Sequence, residues 1–282
     1  LHYTIAGERR IVTFDLPEPP AQMYEFADTT MFRDDAEILG EWLDHSRSVG
    51  FEHFYLYDNF SEVLPLFGPD VTLLDWPFPY YFQMTDDIVD DHLYARTGQG
   101  LGSQIPQQLH ALYKHGSETE WLAFFDDDEY LVLPDGYDLS NHLVPHERRT
   151  VVTVGSVFFG TQRVDDFDAI PAGERIRRGY VMRETLNEES AFTRRKPLVH
   201  IPLVAPGEHV VIHDWQSHRE PGNNMTRHPF QTDTFAQLPL DQARLNHYYA
   251  LSYRRRMEPG NYYNDVLDTS ILPTGDPDAV AA

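Results

Sequence analysis

The most constraining stretch of this chain is Trp121-Leu122-Ala123-Phe124-Phe125, five apolar residues followed without a break by Asp126, Asp127, Asp128 and Glu129. A run so short and so uniformly apolar reads as a strand buried on both faces. Such strands belong to α/β proteins with a mostly parallel sheet, whose ligands gather at the carboxyl ends of the strands. Four consecutive carboxylates at such an end repel one another and raise one another's pKa, and a divalent cation removes that conflict. On a strand end, residues two apart point to the same side, so Asp126 and Asp128 are expected to reach one ion together while Asp127 faces away.

The rest of the chain supplies the other elements of that sheet. Residues 24–32 are β-prone, and residues 34–49 carry Ile38, Leu39, Trp42, Leu43 and Ser46 near helical spacing before Gly50 stops them. Residues 54–57 form a second buried strand ending in Asp58, Asn59 and Ser61, and residues 71–74 a third. Residues 104–115 predict a helix with Ile105, Leu109 and Leu112 inward and Pro106 in its first turn. Further along, residues 150–159, 199–204 and 210–213 read as strands, residues 165–195 as a loop-rich wall, and residues 242–257 as a closing helix. The first twenty residues, with Pro17, Pro19 and Pro20, read as an edge hairpin or arm, and the tail from Pro273 as disordered.

Composition narrows the partners. A net charge of −23 over 282 residues excludes a nucleic-acid partner, which needs a basic stripe to displace counterions. An anionic diphosphate would meet the same repulsion and would need local neutralisation by a metal or a few placed cations. With no cysteine in the chain, a metal must sit on carboxylates and imidazoles, which favours Mn²⁺ or Mg²⁺ over structural zinc. No run is long enough to span a bilayer and the start lacks the regions of a signal peptide, so the cytoplasm is the default location, with peripheral membrane contact left open.

Several pieces, taken in order, resemble the family 92 glycosyltransferases and their bacterial relatives in the family 2-like group. They are Phe32-Arg33-Asp34-Asp35, Glu41-Trp42 with His45, Phe54-Tyr55-Leu56-Tyr57-Asp58-Asn59 with Ser61, and Gln104. Residues 121–130, Phe159-Gly160, Lys196, and Asn246-His247-Tyr248 with Ser252 complete the set. The resemblance implies a GT-A fold, a Rossmann-like, mostly parallel sheet flanked by helices with a C-terminal acceptor-side half. It implies one domain over residues 1–265, divided into an arm (1–28), a nucleotide-binding half (29–140) and an acceptor half (141–265), then a tail (266–282). It also implies a nucleotide-sugar donor, UDP-galactose as first candidate, with Asp126 and Asp128 as the metal pair. Arg33, Asp35, Gln104 and Asp127 become donor-site candidates. Inverting single displacement follows, in which an acceptor hydroxyl of a glycan or lipid-linked substrate, deprotonated by a carboxylate, attacks the anomeric carbon. Two departures stand out: relatives usually carry Lys-Asn-Glu where this chain has Arg33-Asp34-Asp35, and a glycine-serine-rich turn where it has Thr161-Gln162-Arg163.

Among the remaining candidates, Asp58 can accept a uracil N3 proton or a ribose hydroxyl, with Asn59 shaping the turn; as an Asp-Asn pair it would equally serve as a turn cap. His213 is the favoured third metal ligand, beside Asp214 as its orienting partner, and His247 is its rival or a diphosphate contact. Lys196, one of two lysines, can bring positive charge to the pyrophosphate or belong, with Arg194 and Arg195, to a solvated basic turn. For the catalytic base, Glu184, Glu188, Glu189 and Asp214 lie in the acceptor half, and Glu184 is preferred. Trp76, Phe78, Tyr80, Tyr81 and Phe82 offer sugar-stacking faces or simply core. Two other functions fit the same sequence: a nucleotide-sugar or glycan-binding protein without turnover, and a metal-dependent phosphohydrolase, which would need further ligands for a second metal.

Overall fold

The computed structural model describes residues 2–5, 8–11, 21–78, 103–134, 137–160, 163–205, 209–211, 214–216, 235–248 and 265–268. In chain order the strands are β1 (His2–Ile5), β2 (Glu8–Ile11), β3 (Tyr24–Phe32), β4 (His53–Asp58), β5 (Val71–Asp75), β6 (Thr119–Ala123), β7 (Glu129–Val132) and β8 (Val151–Phe158). After them come β9 (Met182–Arg183), β10 (Lys196–His200), β11 (His209–Val211), β12 (Asp214–Gln216), β13 (Phe235–Leu238), β14 (Arg244–His247) and β15 (Val266–Leu267). The helices are α1 (Ala36–Ser48), α2 (Gln104–His110), α3 (Leu139–Leu143), α4 (Arg175–Gly179) and α5 (Glu188–Phe192).

Nine strands form the main sheet in the order β5-β4-β3-β6-β10-β8-β14-β7, with β13 also on β8. The pairs β5–β4, β4–β3 and β3–β6 are parallel, as are β8–β13 and β8–β14. The pairs β6–β10, β10–β8 and β14–β7 are antiparallel. The fold is therefore the mixed α/β architecture with a mostly parallel sheet that the apolar runs predict. β1 and β2 make the expected antiparallel hairpin.

Alternation along β3 and β4 explains the two-sided core. Phe26, Phe32, Phe54 and Leu56 pack on one face with Leu39, Trp42 and Leu43 of α1, whereas Ala27, Tyr55 and Tyr57 pack on the other with Ala111 and Leu112. Burying each of these large side chains contributes roughly 2–3 kcal/mol. α1 stops as predicted: Gly50 takes φ +113°, a conformation that a side chain would strain. The predicted helix over residues 104–115 is α-helical only to His110 and then widens into a π-helical turn over Ala111–His115.

Three predictions shift. The apolar strand begins and ends two residues early, at Thr119–Ala123, because Phe124 and Phe125 have left the ladder with β3. The strand expected over residues 199–204 is β10, ending at His200, with a 3₁₀ turn over Ile201–Leu203. The closing helix expected over residues 242–257 is corrected at its start: Arg244–His247 is a strand, because it ladders with β8 on one side and β7 on the other, a tertiary pairing that overrides local spacing. The charged stretch 165–195 holds short helical turns, α4, β9 and α5, and Asn187 caps α5 by accepting from the Ser190 amide at 3.0 Å. Among the described residues, no helix is long and apolar enough to cross a membrane.

Candidate functional site

Strand direction decides which residues meet. β3, β4, β5 and β6 run parallel, so their carboxyl ends place Arg33 to Asp35, Asp58 to Ser61, Trp76 to Phe78, and Asp126 to Asp128 along one edge of the sheet. β10 runs against β6, which brings its first residue, Lys196, to the same edge. β14 ends there with His247, and β7, antiparallel to it, starts there with Glu129. Residues far apart in sequence thus converge where a parallel sheet binds its ligands.

Lys196 is the hub. Its side chain is 0% exposed, and its Nζ lies 2.5 Å from Asp126 Oδ2 and 3.4 Å from Glu129 Oε2. Burial works against its charge, but Asp126, Glu129 and Asp128 more than offset that and hold its pKa well above the usual lysine range. Gln104, at the start of α2, donates from Nε2 to Asp126 Oδ1 at 2.9 Å. His247 completes the ring, with Nε2 3.4 Å from Asp128 Oδ2 and Nδ1 3.4 Å from Glu129 Oε1. Burial opposes the charge on His247 too, yet Asp128 and Glu129 raise its pKa above the ordinary imidazole value.

The cluster carries more negative than positive charge. Burial pushes Glu129 up to about 7 even though Lys196 pulls the other way. Behind it, Asp28 on β3 is fully buried and pushed up to about 8, by burial first and then by Glu129 and Asp126, against the Phe125 and Thr29 amides that bond it. Asp126 and Asp128 lie on the turn between β6 and β7 rather than on the strand, so strand alternation does not aim them. The turn is fixed by hydrogen bonds instead: the Asp126 amide to Glu129 Oε2 at 3.1 Å, the Glu129 amide to the Asp126 carbonyl at 2.9 Å, and the Tyr248 amide to the Asp128 carbonyl at 2.8 Å. Asp127 is half-buried on the same turn.

The other donor-side candidates are occupied in fastening loops. The Arg33 amide donates to Asp35 Oδ2 at 3.2 Å, and the Arg33 side chain is 60% exposed. Asp58 Oδ1 accepts from the Ser61 amide at 2.9 Å, the turn-cap arrangement. Asn59 is buried and donates from Nδ2 to the Trp76 carbonyl at 2.9 Å and the Phe78 carbonyl at 2.7 Å, so it pins the loop after β5.

Of the residues expected on an acceptor side, Glu184 takes the Phe158 amide on Oε1 at 2.9 Å and an ion pair from Arg194. Arg194 also lies 4.1 Å over the Phe158 ring, which meets the His247 ring edge-on at 4.9 Å. Glu184 is therefore joined to the acidic turn through Arg194, Phe158 and His247, and does not touch it directly. Glu188 accepts from the Leu240 amide at 3.1 Å. Asp214 is placed by its backbone alone, in β12. His213, and the aromatics Tyr80, Tyr81 and Phe82, lie outside the described residues.

Two contributions to the framework of the site go beyond the sequence reading, one a residue it does not name and the other a motif whose partners it does not give. Asp28 is one, and its signal is a carboxylate in the middle of an otherwise buried strand. The face of α1 is the other. Trp42 Nε1 donates to the Glu129 carbonyl at 2.9 Å, and His45 Nε2 donates to the Leu131 carbonyl at 2.7 Å. Burial drops the His45 pKa to about 4, so the ring is neutral. Glu41 accepts from the Ile176 and Arg177 amides, both at 2.9 Å, and from Arg177 Nε at 3.1 Å. α1 thus braces both β7, which carries Glu129, and α4.

The model of glycosyltransferase family 92 matches residues 28–274. A glycosyltransferase family 92 protein of Ricinus communis is 27% identical over 119 residues, which make up 39% of this chain and 17% of that protein. The match therefore spans under a fifth of the relative's length. Among solved structures, apo WbbM, a bifunctional glycosyltransferase, matches 53% of this chain and 25% of its own at 15% identity and a TM-score of 0.26. The galactosyltransferase LgtC, in complex with donor and acceptor sugar analogs, matches 62% of this chain and 58% of its own at 14% identity and a TM-score of 0.27.

Proposed function

Because the chain belongs to glycosyltransferase family 92, we propose that it moves a hexose from a nucleotide sugar to an acceptor hydroxyl at the turn between β6 and β7. The proposed donor is UDP-linked, with galactose the first sugar to try, the acceptor is a glycan or lipid-linked sugar, and the anomeric centre inverts. The observation that carries this reading is the convergence of Asp126, Asp128, Lys196, Gln104 and His247 at one sheet edge.

A divalent ion, Mn²⁺ or Mg²⁺, belongs to the proposal. Among the described residues, no three His, Asp or Glu side chains form a ready-made cation site. Asp126 and Asp128 would hold such an ion as a pair, with diphosphate oxygens and water as its other ligands, an arrangement hard cations accept. Burial first, and neighbouring carboxylates after it, push Glu129 to about 7 and Asp28 to about 8, and a site with that surplus of acidic groups suits an added cation. When bound, it would neutralise charge developing on the departing diphosphate.

The chain's own residues would do the rest. Lys196 brings a fixed positive charge to the leaving group, and Gln104 holds the Asp126 carboxylate in one orientation. His247, whose pKa Asp128 and Glu129 raise, can donate a hydrogen bond to a phosphate oxygen. The acceptor proton would pass to Glu184, through Oε2, or to Asp214.

The test is incubation with Mn²⁺ or Mg²⁺ and a panel of nucleotide sugars, with released nucleoside diphosphate and calorimetric binding as readouts. Turnover with one donor, abolished by Asp126→Asn, supports the proposal. Metal-dependent nucleotide binding without turnover for any donor and acceptor tried would point to a binding protein, and phosphate release from simple esters to a hydrolase. Nucleotide affinity indifferent to Asp126→Asn and to divalent ions would sink it.

A further inference from the structure

Asp28 closes the ladder that β6 leaves open. The β3–β6 pairing ends at Asp28 opposite Ala123, after which the chain turns away. That departure leaves backbone donors on both strands to be satisfied, and a buried amide left unpaired costs about 1–3 kcal/mol. The Phe124 amide goes to the Pro197 carbonyl of β10 at 3.2 Å. The next amide, Phe125, goes to Asp28 Oδ1 at 3.2 Å, and the Thr29 amide reaches the same oxygen at 2.8 Å. One side-chain oxygen thus takes the place of a backbone partner at the point where the acidic turn begins.

The carboxyl that does this is 0% exposed, and its Oδ2 has no hydrogen-bond partner. The groups around it are Phe54 opposite on β4, Ala123 opposite on β6, Glu129 on β7 and Asp126 on the turn, the last two in turn paired with Lys196 of β10. On the same face, α1 presents Trp42 and the neutral His45, both committed to β7 carbonyls. An acid so placed is a costly residue for a strand interior. Its bond to the amide of Phe125, the residue directly before Asp126, gives it something to hold.

We propose that Asp28 is a positioning residue for the donor site: by accepting the Phe125 amide it fixes where the chain leaves β6, and so aims Asp126 at Lys196 and Gln104. This rests on the reading of the acidic turn as the donor site. A hydrogen-bond acceptor of the right reach is what the position requires, and asparagine supplies one as well as a carboxylic acid does.

Calorimetry with UDP and Mn²⁺ on the full chain tests it. Asp28→Val, of similar shape but without an acceptor, should weaken UDP binding about tenfold or more, the scale of one lost orienting hydrogen bond. Asp28→Asn should stay within about threefold of the unaltered protein, a rescue that loss of packing would not show. Should the valine protein fail to fold, Asp28→Ser, too short to reach the Phe125 amide, should show the same loss. UDP affinity unchanged in the valine or serine protein overturns the proposal, as does an asparagine protein that binds as poorly as they do. Asp126→Asn separates the two readings: if it too leaves UDP affinity unchanged, the donor-site assignment is wrong, whereas if it abolishes binding while Asp28→Val does not, only the role of Asp28 falls.

Discussion

Lys196 and Asp28 show how much a single ionisable side chain decides in this site. The Lys196 ammonium touches both Asp126 and Glu129 from a fully buried position, so Lys196→Met would strand two carboxylates. Breaking a buried pair by removing one partner costs roughly 3–5 kcal/mol, and thermal unfolding of Lys196→Met should show a drop of that size unless divalent ions are supplied. If Mn²⁺ restores no stability, the added cation does not sit on these carboxylates. Asp28 acts in the opposite sense. Burial pushes its carboxyl up to about 8 in the fold from the ordinary aspartate value of 3.8, so between those pH values the folded chain holds a proton that the unfolded chain has lost. Stability from this group is highest below about 4, falls as pH rises toward about 8, and is level beyond. Asp28→Asn escapes that loss and should stabilise the protein at pH 7 by on the order of a few kcal/mol, with the gain vanishing near pH 4. Equal melting temperatures at pH 7 would show that Asp28 is ionised at little cost.

At the level of elements, α1 is the strut of the site. Trp42 and His45 hold the β7 backbone and Glu41 holds the start of α4, so the helix fixes the acidic turn through the backbone of Glu129 and Leu131. Glu41→Ala leaves the Arg177 guanidinium and two amides without their acceptor and should cost about 3 kcal/mol in urea unfolding, whereas Glu41→Gln should cost about half as much. Comparable losses in both variants would mean that packing, not the carboxylate, carries the brace. The sequence makes α1, β3, β4 and β5 legible because each buries a clean apolar pattern, and it makes the acidic turn legible because four carboxylates follow an apolar run. It misplaces residues 244–247 because their strand character comes from β7 and β8, distant in the chain. It names Asp126, Asp128, Lys196, Gln104 and His247 but not the links among them. Asn59 is legible as a turn-shaping residue, but its reach to the loop after β5 is not, since nothing local shows that the Trp76 and Phe78 carbonyls will need donors.

For the whole molecule, the net charge of −23 sets the terms on which an anionic substrate arrives. Long-range repulsion reaches about 30 Å at 10 mM salt but only about 8 Å at 150 mM. The association rate of UDP measured by stopped flow should therefore rise, at least about twofold, over that range. A rate that falls instead would mean that Lys196 and the arginines nearby steer the nucleotide locally. The way β8 is shared bears on how this chain can be altered. β13 ladders with residues 151–154 and β14 with residues 155–158, both parallel, and residues 239–243 loop out between them. Leu240 is the anchor of that excursion, seated 3.0 Å from where a Cβ on Gly155 would stand, while Asp241 and Gln242 face solvent. Because each ladder keeps its own register, an insertion between Asp241 and Gln242 lengthens the detour without moving His247, which makes that point a natural splice for a graft at the end of β14 away from the acidic turn.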